Sequence, residues 1–478
     1  MNSGPVIVWL RDDLRIADNP ALAAAARTDA PLICLFVLDE DSKGFRAHGG
    51  ASRWWLAQSL RALERDLNTL GQRLVLRRGA AATIVPALAQ QHGAQSVFWN
   101  RRYEQAGIAV DEAVIAALKA LGINGGTLPG NLLVEPGKLA NKDGGPLRVF
   151  TPFWKRLLSL GAPRKPVAAP KALPPCPDGI ESDQLDDWQL EPTKPDWAGG
   201  LRDTWTPGET AARQRLSDFL DGIEGYADER DRPDKPSTSR LSPHLRFGEI
   251  SPAEIFHGAR FAADKGASQR DVDKFLSELG WREFSYHLLH HFPDLATKNL
   301  QERFDAFPWR DDKIALKAWQ NGQTGYPIVD AGMRQLWHTG WMHNRVRMMT
   351  ASFLIKHLLI DWRLGEQWFW DTLVDADPAN NTASWQWVAG SGADAAPYFR
   401  IFNPILQGEK FDPHGLYVRQ WVPELAGLPD DVLHKPWLAA PLTLADAKVT
   451  LGKTYPPPIV AHEMARKRAL EALASIKT

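Results

Sequence analysis

The sequence predicts two architectures in one chain: an amino-terminal doubly wound α/β domain built on a parallel sheet, and an all-α carboxy-terminal domain. Three observations carry that prediction. Short apolar runs alternate with helix-patterned segments up to about residue 135, eight prolines crowd residues 162–195, and the pattern after Pro207 stays helical to the C-terminus. The expected boundaries are 1–135 for the α/β domain, 136–207 for a linker and 208–478 for the helical domain. A chain of 478 residues exceeds what one hydrophobic core supports, so at least two domains are required.

The runs VIVWL (6–10), LICLFVL (32–38), LVL (74–76) and SVFW (96–99) are short and rich in β-branched or aromatic residues. Buried parallel strands read this way because both of their faces are covered. Between them, SRWWLAQSLRALERDLNTLG has helical periodicity and stops at Gly71, a residue suited to ending a helix. Alternating strands and helices imply a doubly wound sheet. Neither GxGxxG nor GxxxxGK[ST] occurs, so this half carries no specific phosphate signal. In the helical half, Ser251-Pro252 is expected to open one helix and Ser277 to cap another.

Composition narrows the function. The 56 basic and 57 acidic residues nearly cancel, which excludes a diffuse polycation while allowing a local basic groove. Two cysteines, Cys34 and Cys176, support neither a disulfide framework nor a four-cysteine cluster. The N-terminus MNSGPVIVWLRDDLR lacks the pattern of a signal peptide, and no apolar run reaches spanning length, so a cytoplasmic protein is expected. Twelve of the 20 tryptophans lie between Trp281 and Trp437. Each ring fills much core volume, so their number alone does not separate packing from chemistry.

Three segments concentrate candidate chemistry. In PSTSRLSPHLRFGEISP, hydroxyls cluster just before a helix, as ordinary capping or as an anion site for a pyrophosphate. In FLSELGWREFSYHLLHHFP, Glu278, Trp281, Arg282 and Ser285 share a helical face. His287, His290 and His291 follow on, without a matching acid or HExxH, so no metal is expected and a helix-surface role is. From Trp341 to Pro404, WMHNRVRM puts Asn344 and Met348 on the face of Trp341, with Arg345 and Arg347 beside it. DADPANN follows, with Asp375 and Asp377 in a turn, open to reading as plain turn residues, metal ligands or acceptors opposed by Arg347.

Taken together, TSRLS, WREF, TGYPIVDAGMRQL, WMHNRVRM and WQW resemble the DNA photolyase/cryptochrome family, and most closely a bacterial cyclobutane pyrimidine dimer (CPD) photolyase. The resemblance runs from VWLRDDLRIADNPAL to YPPPIVAHEMAR. It implies an antenna domain followed by a helical domain that holds FAD, and light-dependent repair of CPD in DNA by a deoxyribodipyrimidine photolyase. It further implies that Tyr226 and the run Thr238, Ser239, Arg240, Leu241 and Ser242 hold the FAD phosphates and ribityl chain. Phe275, Arg282, Arg347, Asp375, Ala376, Asp377 and Asn381 would surround the flavin ring, with Asn344 at its N5 atom; Phe275 stands where relatives often carry tryptophan. Glu278 would hydrogen-bond the dimer, while Trp281, Trp387 and Met348 form its walls. Arg230, Arg282, Ser285, Asn344 and Arg345 would lie near DNA, and Trp385, Trp362 and Trp309 would relay electrons to the flavin.

The implied partner is UV-damaged DNA, bound by a monomer associated with the bacterial nucleoid. Methenyltetrahydrofolate is the antenna that the resemblance favours. Ala106 and Gly107 replace the Asn-Glu pair of well-known folate binders, so a deazaflavin or no antenna stays open. A signalling cryptochrome fits less well with Asn344, Glu278 and Trp387. A (6-4) photolyase needs two active-site histidines where WMHN supplies His343 alone. A metal-dependent nuclease on Asp375 and Asp377 lacks a third acid.

Overall fold

A computed structural model describes residues 4–394 and 399–476. The segment 395–398, inside the SWQWVAGSGAD motif, lies outside the described residues. By contacts the chain forms two units. Unit 1 is Met1–Ala198, Trp205–Glu224 and Ser239–Pro293, and unit 2 is Gly199–Thr204, Gly225–Thr238 and Asp294–Thr478.

Unit 1 is built on a parallel sheet of five strands: β1 (Val6–Leu10), β2 (Leu32–Leu38), β3 (Leu74–Arg78), β4 (Ser96–Asn100) and β5 (Asn124–Leu128), in the order β3-β2-β1-β4-β5. Helices Gly50–Thr69, Ala81–Gln91 and Gln105–Ala120 connect the strands. All of β1 and β2 is buried, as their uninterrupted apolar sequences require. The edge strand β5 was absent from the sequence reading. Its sequence, NGGTL, has two glycines and a single leucine, so pairing with β4 makes it a strand where composition does not.

The sequence groups all of 208–478 together, whereas contacts place Trp205–Glu224 and Ser239–Pro293 with the sheet. Buried polar anchors explain this. Arg15 is fully buried and donates to the carbonyls of Asp18, Gly130 and Gly248, the last at 2.9 Å. Glu209 accepts from the amides of Ile16 (2.6 Å) and Ala17 (3.1 Å), and Glu249 accepts from the Trp55 indole at 3.1 Å. Groups of this kind cannot be left buried and unpaired, so the segments that carry them stay with the sheet domain.

Unit 2 is helical, with its core around Trp319, Tyr326, Met342, Phe353 and Trp362. Helix Pro327–Thr339 opens with proline and ends at Gly340 at φ 65°, a left-handed conformation that glycine adopts without strain. Helix Asn344–Ser352 runs into a π-helical turn at Phe353–His357, and helices Trp362–Thr372, Asn380–Ala389 and His462–Ala474 complete the frame used below. Among the described residues no helix is long and apolar enough to cross a membrane.

Candidate functional site

In unit 2 the WMHN segment is not helical before Asn344. His343 is extended (φ −57°, ψ 135°), and its Nδ1 accepts from the Arg345 amide at 3.2 Å, capping the helix that Asn344 begins. Trp341 therefore does not share a helical face with Asn344 and Met348, as its spacing suggested; a cap at His343 overrides periodicity. Burial draws His343 down to about 4, so it is neutral at ordinary pH. Asn344 is exposed, while Arg345, Arg347 and Met348 are half-buried.

Arg347 donates twice to Asp375, Nη1 to Oδ1 at 3.1 Å and Nη2 to Oδ2 at 2.8 Å, while its Nε reaches the Met342 carbonyl at 2.7 Å. This planar, two-toothed pair fixes the orientation of both groups. Asp377 accepts from the amides of Ala379 (2.9 Å) and Asn380 (2.7 Å), starting helix Asn380–Ala389. Asn381 on that helix donates to Glu366 Oε1 at 2.8 Å. Ala376, between the two acids, is buried. Of the open readings for this turn, the plain turn role fits Asp377 and the arginine-opposed role fits Asp375. Among the described residues no group of three metal-ligating side chains occurs.

The adjacent tryptophans of WQW diverge because residues two apart on a helix point about 200° apart. Trp385 is 2% exposed and packs edge-on against Phe369 at 5.0 Å, whereas Trp387 is half-buried and donates to the Asp394 carbonyl at 3.0 Å. Trp362 is fully buried and donates to Asn299 Oδ1 at 3.0 Å. Trp309 is half-buried against Phe307, 4.4 Å between ring centres. Arg345 pairs with Asp231, and Arg230 lies 3.6 Å from the same carboxylate. Tyr226, which opens a short helix, is 7% exposed.

In unit 1, helix Gln269–His291 is capped by Ser268, whose hydroxyl accepts from the Asp271 amide at 3.3 Å. Ser277 is interior to that helix and bonds back to the Lys274 carbonyl at 2.7 Å, so the expected cap there does not form. Glu278, Trp281, Arg282 and Ser285 do lie on this helix. Glu278 pairs with Lys274 at 3.1 Å. Trp281 stacks on Phe150, 3.9 Å between centres and 7° between planes, which holds the indole rigidly. Arg282 lies over Tyr286 at 4.9 Å, and Ser285 is buried, its hydroxyl bonded to the Trp281 carbonyl at 3.0 Å. Phe275 packs on Phe219 at 4.6 Å.

His287 is not a surface residue: it is 1% exposed and its Nε2 accepts from the Leu147 amide at 3.1 Å. The Thr238–Ser242 run changes units after Thr238. Arg240 takes φ 52°, Leu241 is buried, and Ser242 is exposed at the start of the short helix Ser242–Arg246. Asp231, Phe150 and Glu366, which hold predicted site residues, were missed by sequence reasoning. No spacing rule connects them with partners so distant along the chain.

Glu283, beside Arg282, is fully buried and accepts from the Leu133 amide at 2.8 Å. Burial raises its carboxyl to about 7 against the pull of Arg282. A raised folded pKa means that the stability it contributes is full below about 4.5 and is lost as pH rises through about 7. Chemical denaturation from pH 5 to 8 is expected to show a fall that Glu283→Gln reduces, on the order of 2 kcal/mol. An unchanged pH slope in the variant would refute this.

In unit 1, a Cβ added to Gly107 would lie 2.6 Å from Glu104 Oε1 and 2.8 Å from Arg102 Cβ. Arg102 is held by Asp12 at 2.7 Å. The space that a side chain at position 107 needs is thus already filled.

The donor set of unit 2 suits a flavin. The pyrimidine edge of isoalloxazine offers one N–H and two carbonyl oxygens, for which Asp375 and Asp377 would be acceptors and Arg347 and Asn344 donors. Thr382, next to Asn381, keeps a buried hydroxyl without a partner.

Residues 275–475 match the model of the FAD binding domain of DNA photolyase, and residues 6–174 match the DNA photolyase model. The deoxyribodipyrimidine photo-lyase of Agrobacterium fabrum is 54% identical over 478 residues, covering 100% of this chain and 99% of that protein. Cryptochrome-1 of Arabidopsis thaliana is 38% identical, covering 99% of this chain and 71% of that protein. A crystal structure of a bacterial class III photolyase from Agrobacterium tumefaciens superposes with a TM-score of 0.96 at 54% identity, covering 100% of this chain and 98% of that one.

Proposed function

The chain belongs to the DNA photolyase family, and on that premise we propose that it repairs cyclobutane pyrimidine dimers in DNA under near-UV or blue light. The observation that carries the reading is Asn344, an amide exposed at the first position of its helix, set beside the Arg347–Asp375 pair. An acid or thiol at Asn344 would have favoured a signalling protein.

FAD, when bound and reduced, would supply the light-driven one-electron chemistry that splits the dimer without net redox change. The protein's own work is binding and orientation. Arg347 and Asp375, locked to each other, would hold the flavin edge with fixed polar atoms, and Asn344 would orient the ring from the start of the same helix as Arg347. A dimer inside a duplex is out of reach, so it must be extruded, as photolyases do as a class. In unit 1 Trp281, stacked on Phe150, would offer the dimer one flat apolar wall, and in unit 2 Trp387 and Met348 would offer apolar surface of their own. Glu278 offers a hydrogen bond that favours the reduced dimer. Arg230 and Arg345 contact phosphates without reading sequence. Trp309, Trp362 and Trp385 would serve as the oxidisable indoles through which an oxidised flavin is re-reduced.

The test is a CPD-containing oligonucleotide incubated with FAD-reduced protein in light and in darkness. Repair is expected only in light. No repair despite bound, reduced FAD would turn the reading towards a light sensor, as the cryptochrome relative suggests.

A further inference from the structure

Unit 2 contains a cavity of about 560 Å³ whose polar lining is cationic. Arg303, Lys356, Arg400 and Arg466 line it, and no acid is among its described lining residues. Trp387, Phe399 and Phe402 supply ring walls. The position of Lys356 is the unusual feature. It sits on the π-helical turn Phe353–His357, is only 3% exposed, donates to the Arg400 carbonyl and lies 4.5 Å from the Phe399 ring centre. No carboxylate among the described residues pairs with it. Burial, with Arg400 nearby, pulls its ammonium down to about 7.

A buried ammonium without a counter-charge is costly, and a π turn is a costly way to place it; such turns cluster at functional sites. Both costs are recovered if an anion completes the charge set. Three arginines favour phosphate, to which guanidinium groups donate in pairs. Rings along the wall favour a planar heterocycle, and the volume suits one small molecule rather than a strand of nucleic acid. We propose that this cavity binds a free nucleotide, with its phosphate among Arg303, Lys356, Arg400 and Arg466 and its base against the rings. Trp387 is shared with the repair reading, whereas Arg303, Lys356 and Arg466 have no part in it, so variants at these three test the proposal separately.

The probe is ADP, titrated in darkness by calorimetry into the full-length, FAD-loaded protein. Saturable binding of one ADP per chain is expected. Arg303→Ser with Arg466→Ser, both exposed and so tolerable to the fold, is expected to weaken it at least about tenfold, the scale of a lost charge-assisted contact. Lys356→Met tests the buried charge and is expected to abolish binding, with the FAD absorption spectrum unchanged as a check on folding. Absence of saturable ADP binding overturns the proposal. So does equal affinity in the double variant, or displacement of ADP from the wild type by a short undamaged single-stranded oligonucleotide, which would make the cavity part of the nucleic-acid surface.

Discussion

Trp385→Phe is expected to slow photoreduction of oxidised flavin at least about tenfold, equivalent to roughly 1.4 kcal/mol of barrier, while repair by pre-reduced enzyme stays within about twofold. The separation follows from the two tasks. On the proposed relay, refilling the flavin requires an oxidisable indole at position 385, whereas repair starts from flavin already filled. Phenylalanine preserves an aromatic plug in the core but is far harder to oxidise. The site is tight enough to hold a ring in one place: Trp385 packs edge-on against Phe369 at 5.0 Å and Trp319 at 6.2 Å, and a Cβ at Gly365 would lie only 2.2 Å from its Cη2. Flash photolysis of the oxidised protein and a repair assay on the reduced protein read the two rates separately. Equal loss of both would refute the relay role and point to a packing defect.

Asp330→Ala is expected to destabilise unit 2 by about 3–5 kcal/mol, the range for breaking a buried polar network by removing one partner. Asp330 is fully buried. It accepts from the Thr324 amide (2.7 Å), the Thr324 hydroxyl (2.6 Å), the Gly325 amide (3.0 Å) and the Tyr455 hydroxyl (2.6 Å). Alanine leaves those four donors buried and unanswered. Tyr326, two residues from Thr324, donates to the Val460 carbonyl at 2.8 Å, so the same cluster ties the segment before helix Pro327–Thr339 to the chain near the C-terminus. Urea denaturation monitored by tryptophan fluorescence measures the loss. A midpoint shift equivalent to less than about 1 kcal/mol would show that water or rearrangement satisfies the donors.

That network shows what kind of information a motif carries. TGYPIVDAGMRQL contributed to the family resemblance, yet its acid is an internal clasp, and the spacing of Thr324 and Asp330 gives no hint that Tyr455 supplies the fourth donor. Arg347 and Asp375 were paired from the sequence because bidentate chemistry suits them, and the structure joins them at 2.8 Å. Ser277 and Trp341 were misplaced for a common reason. Helix starts depend on which residue captures the first free amides, and Ser268 and His343 do so.

What the sequence determined by itself is the local and the chemical. Buried strands announce themselves by unbroken apolar runs, helices by period, and the family by dense motifs. Tertiary structure alone decided which residues stand behind those groups. Phe150 under Trp281, Asp231 beside Arg345, the strand made of NGGTL and the placement of helices past residue 207 against the sheet all follow from pairing across long stretches of chain. The physical reason is that burial leaves no polar or apolar surface unmatched, and the partner that satisfies it is chosen by proximity in the folded chain, which no local pattern encodes.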